Sequence, residues 1–253
     1  MTKTRMLVAA LSCALLAGAL PALSAGQEGA KKTDKPKLSE RQKEVLSSET
    51  FLSDHPDMLN RIRAMQELER GDPVRAANYF KRAAHYADKQ SQAAYAEMLW
   101  EGRGVPQDRP AAYAWMDLAS ERGYTLFLGF REHYWNALNE YERQRAVEVG
   151  QGIYAEYGDV VAKPRLEKIL KRALRKITGS RTGFVGMLSI VVPGPGGGTV
   201  IDGSTYYNKR YWEPAQYWQW QKEIVDGAKE GKVIVGDLKR TQDDTPPMKK
   251  GDD

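Results

Sequence analysis

The sequence predicts a mainly α protein: an α-solenoid of stacked helical hairpins, followed by a small C-terminal unit with a few β-strands and one helix. Three observations lead to this fold class. A pattern of small and aromatic residues recurs in the middle of the chain, glycine-rich turns separate the helical segments, and the apolar spacing becomes strand-like after residue 179.

The repeat lies in residues 76–87 and returns in residues 112–123. In both copies, apolar residues stand at i, i+3, i+4 and i+7, which is the spacing of one buried helix face. A period of about 36 residues is typical of a solenoid in which each hairpin packs on its neighbour. The repeated positions are Ala76, Tyr79, Phe80, Ala83 and Ala84 in the first copy, and Ala112, Trp115, Met116, Ala119 and Gly123 in the second.

The stretch "WEGRGVPQDRPAAYAWM" joins two of these helices. Gly102 suits the left-handed residue that ends a helix, Gly104 eases the reversal, and Val105 can contact the preceding helix. Asp108 is a good N-cap with Pro110 in the next first turn, and Gly71 with Asp72 forms a shorter version of the same turn. A dinucleotide fingerprint needs a preceding strand and a third glycine, and a P-loop needs Gly-Lys-Ser/Thr, so a phosphate site is not predicted.

These residues resemble the Sel-one-like repeat (SLR) family, which is related to tetratricopeptide repeats. The family pattern has alanines and aromatics on one helix, and a second helix that ends in Gly-x-Gly-Val-x-x-Asp. Here the match covers residues 73–124, with Ala87 standing where glycine is usual. The resemblance implies an α-solenoid that holds other proteins together, without catalytic residues, cofactor or metal.

The N-terminus has the pattern of a secretory signal peptide over residues 1–25: a basic start, a short apolar run and small residues up to Ala25. Cys13, the single cysteine, follows a poor lipobox, so a lipoprotein is the less favoured alternative. We expect an exported protein, periplasmic or secreted, that is soluble after cleavage near Ala25. Without Lys3 and Arg5, the 38 basic residues fall to 36 against 33 acidic ones, which does not indicate a nucleic-acid partner.

The sequence divides the rest of the chain into five segments. Residues 26–37 and 239–253 are polar and rich in Pro or Gly, and read as a disordered linker and tail. Residues 38–160 form the helical repeat domain. Residues 161–178 form a basic amphipathic helix whose apolar face caps the last hairpin or, alternatively, docks on a membrane surface. Residues 179–238 form the C-terminal unit.

Three patterns define the C-terminal unit. "FVGMLSIVV" and "KVIVGDL" read as strands, the glycine-rich residues 193–198 as a hairpin connection, and Asp202-Gly203 as a tight turn. A helix from Pro214 to about Val225 follows. The unit also holds a cluster of tyrosines and tryptophans that either covers a small core or offers a platform for a sugar or peptide. The cluster includes Tyr206, Tyr207, Tyr211, Trp212, Tyr217, Trp218 and Trp220.

The function indicated is a non-catalytic adaptor that binds a protein partner of unknown identity. His55, His85 and His133 are scattered, and no metal-ligand or nucleophile-elbow spacing is present. The alternatives are a peptidoglycan- or glycan-binding or glycan-processing envelope protein, which would use the C-terminal aromatics, and a membrane-surface protein. Candidate partner contacts are Tyr95, Glu97, Met98 and Arg131 on the repeats, and Tyr211, Trp212 and Trp218 in the C-terminal unit.

Overall fold

The computed structural model describes residues 38–175, 188–194 and 197–227, and it confirms a mainly α fold with a small C-terminal part that contains two strands. The first helices are α1 (Glu40–Ser47), α2 (Glu49–Ser53), α3 (Pro56–Glu69), α4 (Pro73–Ala84) and α5 (Lys89–Glu101). They are followed by α6 (Arg109–Ser120), α7 (Thr125–Ala137), α8 (Glu140–Tyr157) and α9 (Asp159–Arg175). The C-terminal part holds β1 (Ser189–Gly194), β2 (Gly197–Asp202), α10 (Gly203–Tyr206), α11 (Lys209–Trp212) and α12 (Pro214–Gly227).

Helices α3 to α6 each pack against the next helix in the chain, α7 and α8 both pack against α6, and the predicted alanine positions lie at these contacts. Ala83 and Ala84 of α4 and Ala112 and Ala119 of α6 are all fully buried. Small side chains here let the helix backbones approach closely, while Trp115 and other large side chains fill the space between the helices. The pairing of α5 with α6 is the repeat unit predicted from the sequence.

The turn between α5 and α6 has the predicted geometry. Gly102 is left-handed, with φ 70° and ψ 31°, and the Arg103 amide donates to the Met98 carbonyl. Asp108 caps α6 by accepting from the Ala111 amide at 3.1 Å. Gly104 has φ 75°, and a Cβ there would overlap the carbonyl of Pro73 at the start of α4. Gly104 is therefore the point where one hairpin turn touches a helix of the neighbouring unit.

Ala87, between α4 and α5, is the single non-glycine residue with positive φ in the described ranges, at 63°. The equivalent place after α6 is Gly123, with φ 71°. A left-handed alanine costs about 1 to 2 kcal/mol because its Cβ crowds the following carbonyl. Ala87 therefore keeps the left-handed backbone of the repeat, although glycine would adopt this conformation without strain.

Ala87→Gly is expected to raise the free energy of unfolding by about 0.5 to 1 kcal/mol, because the strain removed exceeds the entropy that glycine adds to the unfolded chain. A matched control is Ala155→Gly, on the exposed side of α8, which should lower it by about 0.5 to 1 kcal/mol. Urea denaturation of both variants measures the difference. Two variants that are equally destabilised would contradict the strain at Ala87.

The N-terminal helices and the C-terminal segment share one core. Phe51 of α2 contacts Tyr211 and Trp212 edge to face, at ring-centroid distances of 5.8 Å and 5.5 Å. His55 is fully buried beside them, with its ring nitrogens 2.8 Å from the Phe51 carbonyl oxygen and 2.9 Å from that of Tyr211. The described residues from Leu38 onward form one compact unit, so the segments predicted separately pack together.

The basic amphipathic helix is α9, which begins at Asp159, two residues before the predicted start. Its apolar face is buried: Leu166 and Leu170 are fully buried, in the same core as Phe51 and Trp212. The face therefore covers the first helices and the C-terminal aromatics, whereas the sequence suggested the last hairpin. This difference arises because after α8 the chain packs against the first described helices, α1 to α3.

The C-terminal part contains an antiparallel hairpin with Ser189 paired to Asp202 and Gly194 paired to Gly197. The hairpin connection predicted over residues 193–198 therefore falls where the strands reverse. The predicted tight turn at Asp202-Gly203 is wrong: Asp202 is the N-cap of α10 and accepts from the Ser204 amide at 2.8 Å. The strand predicted at "KVIVGDL", the signal peptide, and residues 26–37 and 239–253 lie outside the described residues.

Candidate protein-binding groove

An open groove of about 450 Å³ lies between α5 and α7, which both pack against α6. Each helix turns one face toward it. The groove is lined from α5 by Gln90, Ala93, Ala94, Glu97, Trp100 and Glu101, from α6 by Met116, from α7 by Leu126, Phe127, Phe130, His133 and Tyr134, and from α12 by Val225.

Helical spacing explains why these side chains converge. The α5 residues stand at i, i+3, i+4, i+7, i+10 and i+11 from Gln90, and the α7 residues at i, i+1, i+4, i+7 and i+8 from Leu126, so each set follows one stripe of its helix. Ala93 and Ala94 are small, which leaves space above α5. The larger side chains of α7 form the opposite wall.

Two large apolar side chains in the groove are open to solvent. Leu126 is 43% exposed and Phe130 is 46% exposed, one helical turn apart on α7. Their neighbours Phe127 and Tyr134 are 6% and 4% exposed, and they anchor α7 to α5 and α6. An exposed apolar strip bordered by polar groups is a common feature of surfaces that bind proteins.

An aromatic stack fixes the distance between the groove walls. Trp100 of α5 stacks on Tyr134 of α7, with ring centroids 4.0 Å apart and planes 5° from parallel. The guanidinium of Arg109, on α6, lies 4.5 Å from the Trp100 ring, and it donates to the Ala137 carbonyl at the end of α7. Three helices are thus tied at one point, so the groove is preformed.

The groove is acidic. Glu97 and Glu101 are its two carboxylates, and no lysine or arginine is among the described residues that line it. Burial raises the pKa of Glu97, and the Glu101 charge one turn away raises it further, against a smaller opposing effect of Arg103. Burial, followed by the charges of Glu97 and Glu101, raises the pKa of Tyr134 to about 12. The negative potential therefore reaches the aromatic wall.

Of the four contact residues predicted on the repeats, Glu97 lines the groove. Met98 is fully buried with Ala76 and Phe80, so it offers no surface to a partner. Tyr95 is half-buried, and its ring meets that of Trp115 at 4.9 Å. Both lie away from the groove because they follow a different stripe of α5.

Arg131, the fourth of these residues, is on α7 outside the groove lining. It pairs with the adjacent Glu132 and reaches Asp117 of α6 at 3.5 Å. The guanidinium is thus engaged by the protein's own carboxylates and connects α7 to α6.

The predicted contacts in the C-terminal part belong to the core. Tyr211 and Trp212 are each 1% exposed, and the Trp212 indole donates to the Tyr206 carbonyl at 2.7 Å. Trp218 is half-buried: its indole donates to Glu167 at 2.9 Å, and Arg122 lies 4.7 Å from its ring. The aromatic cluster therefore covers helices α1 to α3 and α9, and its described residues leave no open platform of stacked rings.

Sequence reasoning missed the open side chains of the groove. Apolar residues recur along residues 126–138, and three of them, Phe127, Tyr134 and Leu138, are buried. The width of the apolar surface on this helix could have revealed them. Leu126 and Phe127 are adjacent in the sequence, so they cannot both point at one neighbouring helix. An apolar face wider than its partner helix leaves one edge exposed.

Neither a metal cluster nor a membrane-spanning helix accompanies the groove in the described part of the chain. Within residues 38–175, 188–194 and 197–227, no group of three or more His, Cys, Asp or Glu side chains could hold a metal ion. Over the same ranges, no helix combines the length and apolar character needed to cross a bilayer.

The comparison with protein families matches the Sel1 repeat at residues 66–85 and 89–124. The second range contains α5, the Gly102–Gly104 turn and α6, and the first contains the end of α3 with α4. These are the residues whose pattern predicted the resemblance, and the match confirms it. Sel1 repeats are generally non-catalytic scaffolds that mediate protein–protein interaction.

Among solved structures, the chain is similar to a protective antigen present in uropathogenic Escherichia coli strains that displays an SLR fold. The two are 25% identical, with a TM-score of 0.38, over 51% of this chain and 27% of that chain. No curated protein matches the sequence.

Proposed function

We propose, from the premise that this chain is a Sel1-like repeat protein, that it is an exported, non-catalytic scaffold and that the groove between α5 and α7 holds a segment of its protein partner. The observation that carries this proposal is the pair of exposed apolar side chains, Leu126 and Phe130, on the wall of a preformed groove. A solvent-exposed pair of this kind gains free energy when a partner covers it.

The position of the groove supports the same proposal. It lies between two helices, α5 and α7, and side chains from both can contact one extended or helical segment. The Trp100–Tyr134 stack holds the walls apart before any partner binds, which reduces the ordering cost of association. Export remains part of the proposal, and it rests on the signal-peptide pattern of residues 1–25 and on the single cysteine, Cys13, which cleavage of the leader would remove.

The two alternative functions have less support. The aromatics that a glycan site would use are mostly buried, with Tyr211, Trp212 and Tyr217 at 1% exposure or less. The apolar face of α9 is also buried, so along Asp159–Arg175 a membrane would meet mainly cations. Cations without an insertable apolar face give weak, salt-sensitive attraction to anionic lipid.

Site-specific photo-crosslinking tests the proposed site. With a photoreactive amino acid in place of Phe130, we expect one or more discrete protein adducts in intact cells, because the partner covers this side chain. Tyr141 on α8 is 76% exposed and serves as the matched control, since it lies outside the groove. Adducts that form equally at both positions, or at the control alone, would place the binding surface elsewhere.

A further inference from the structure

We infer that the segment held in the groove is cationic as well as apolar: it places a lysine or arginine against Glu97 and apolar side chains on Leu126 and Phe130. This inference rests on the proposed function, because it specifies the partner of that same groove. It goes beyond the scaffold role by naming the chemistry that the groove selects.

The two carboxylates of the groove differ in their partners. Glu101 pairs with Arg103, whose Nε lies 3.6 Å from a carboxylate oxygen. Glu97 lines the groove one turn earlier and forms no ion pair with any side chain in the described ranges. A cation from a bound segment would supply the missing counter-charge.

Covering the groove makes that counter-charge effective. Glu97 is solvent-exposed while the groove is open, and partial desolvation by the groove walls, together with the Glu101 charge, already raises the pKa of its carboxylate. A segment that covers Leu126 and Phe130 would remove more water, which disfavours the ionised carboxylate unless a cation arrives with it. An acidic segment would instead bring like charges together, so the groove discriminates against it.

The apolar wall fits the stem of a basic side chain. Lysine and arginine lay their methylene groups on apolar surface while the charged end reaches a carboxylate. Phe130 also presents an aromatic face, to which a cation is attracted by the ring quadrupole. One side chain can therefore contact Phe130 and Glu97, which line the same groove on opposite helices.

Selection from a random dodecapeptide library displayed on phage reveals the preference even while the natural partner is unidentified. The full chain is the bait, and Glu97→Lys is the second bait. We expect peptides enriched on the natural chain to combine Lys or Arg with aliphatic or aromatic residues. Peptides enriched on the Glu97→Lys bait should keep the apolar residues, but their basic residues should disappear or be replaced by Asp and Glu.

Fluorescence anisotropy with one enriched peptide measures the effect. Replacing its basic residue by glutamine should weaken binding about tenfold, the loss expected for one hydrogen bond to a charged group. Glu97→Lys should weaken binding of the basic peptide at least as much, but it should change the Kd of the glutamine peptide by no more than about twofold. Glu69→Lys is the matched control, since Glu69 is exposed on α3 outside the groove. It should change the affinity of neither peptide.

The outcomes separate this inference from the proposed function. If Phe130→Ala abolishes binding while Glu97→Lys and the glutamine peptide change nothing, the groove binds protein segments without charge preference and the inference is overturned. If Phe130→Ala leaves every affinity unchanged, the peptides bind elsewhere and the proposed function fails with it. Enrichment of acidic peptides on the natural chain would also overturn the inference.

Discussion

Gly104→Ala is expected to lower the free energy of unfolding by about 2 to 5 kcal/mol, a large loss for so small a change. Two costs combine at this residue. A left-handed alanine is strained by about 1 to 2 kcal/mol. The added Cβ would also overlap the Pro73 carbonyl, and because this is backbone at the start of α4, overpacking adds about 1 to 3 kcal/mol. Urea denaturation followed by circular dichroism gives the value.

Gly123→Ala is the matched control for this prediction. Gly123 has φ 71°, almost the same as Gly104, yet a Cβ there would meet nothing within 4 Å. Gly123→Ala should therefore lower the free energy of unfolding by about 1 kcal/mol, through backbone strain alone. If the two variants are equally stable, the contact between the Gly104 turn and α4 does not exist in solution.

Leu170→Asp is expected to lower the free energy of unfolding by more than about 4 kcal/mol, because it loses apolar burial and places an unpaired carboxylate in the core. Leu170 is fully buried among residues from both ends of the described chain, including Phe51 and Trp212. The loss should therefore disorder α1 and α2 together with α11 and α12. Near-ultraviolet circular dichroism, which reports the packing of the aromatic core, should lose its signal.

Lys168→Asp controls for charge on the same helix. Lys168 is exposed on α9, so its reversal should change the free energy of unfolding by no more than about 0.5 kcal/mol. A Leu170→Asp protein as stable as this control would show that α9 is not buried against the core and would restore the membrane interpretation of its apolar face.

The helical repeat could be predicted because its determinants are local. Gly102 ends α5 and Asp108 starts α6 through bonds that span a few residues, and such rules operate wherever the sequence carries them. The buried alanines at the helix contacts also follow from a local pattern, since the spacing of Ala83 and Ala84 lies within one helix. The sequence also shows that Ala87 stands where the family pattern has glycine, but only the structure shows that its backbone is left-handed.

The core that α1 to α3 share with the C-terminal segment could not be predicted in the same way. His55 lies beside the Tyr211 carbonyl, 156 residues later, and no periodicity links two segments so far apart. The sequence predicts that the aromatic cluster either covers a small core or offers a binding platform, but it does not indicate which elements it covers. The structure shows that the cluster packs against Phe51 and the buried face of α9 as well as against Val192 and Ile201 of the hairpin.

The groove was only partly visible in the sequence. The sequence predicts both Glu97 and Met98 as partner contacts, yet on the same helix Glu97 lines the groove and Met98 is fully buried. Which stripe of a helix stays open depends on how many neighbours pack around it, and that number is a property of the tertiary structure. Leu126 and Phe130 remain exposed because no described helix packs against that edge of α7.

Hydrogen–deuterium exchange of the full chain, alone and with the protein captured at Phe130, tests the central claim most directly. Binding in the groove should slow exchange in Lys89–Glu101 and Thr125–Ala137, the two helices that form its walls, and leave Glu140–Tyr157 unchanged. Slower exchange confined to α8 or α9, with α5 and α7 unaffected, would show that this repeat protein binds its partner through another surface.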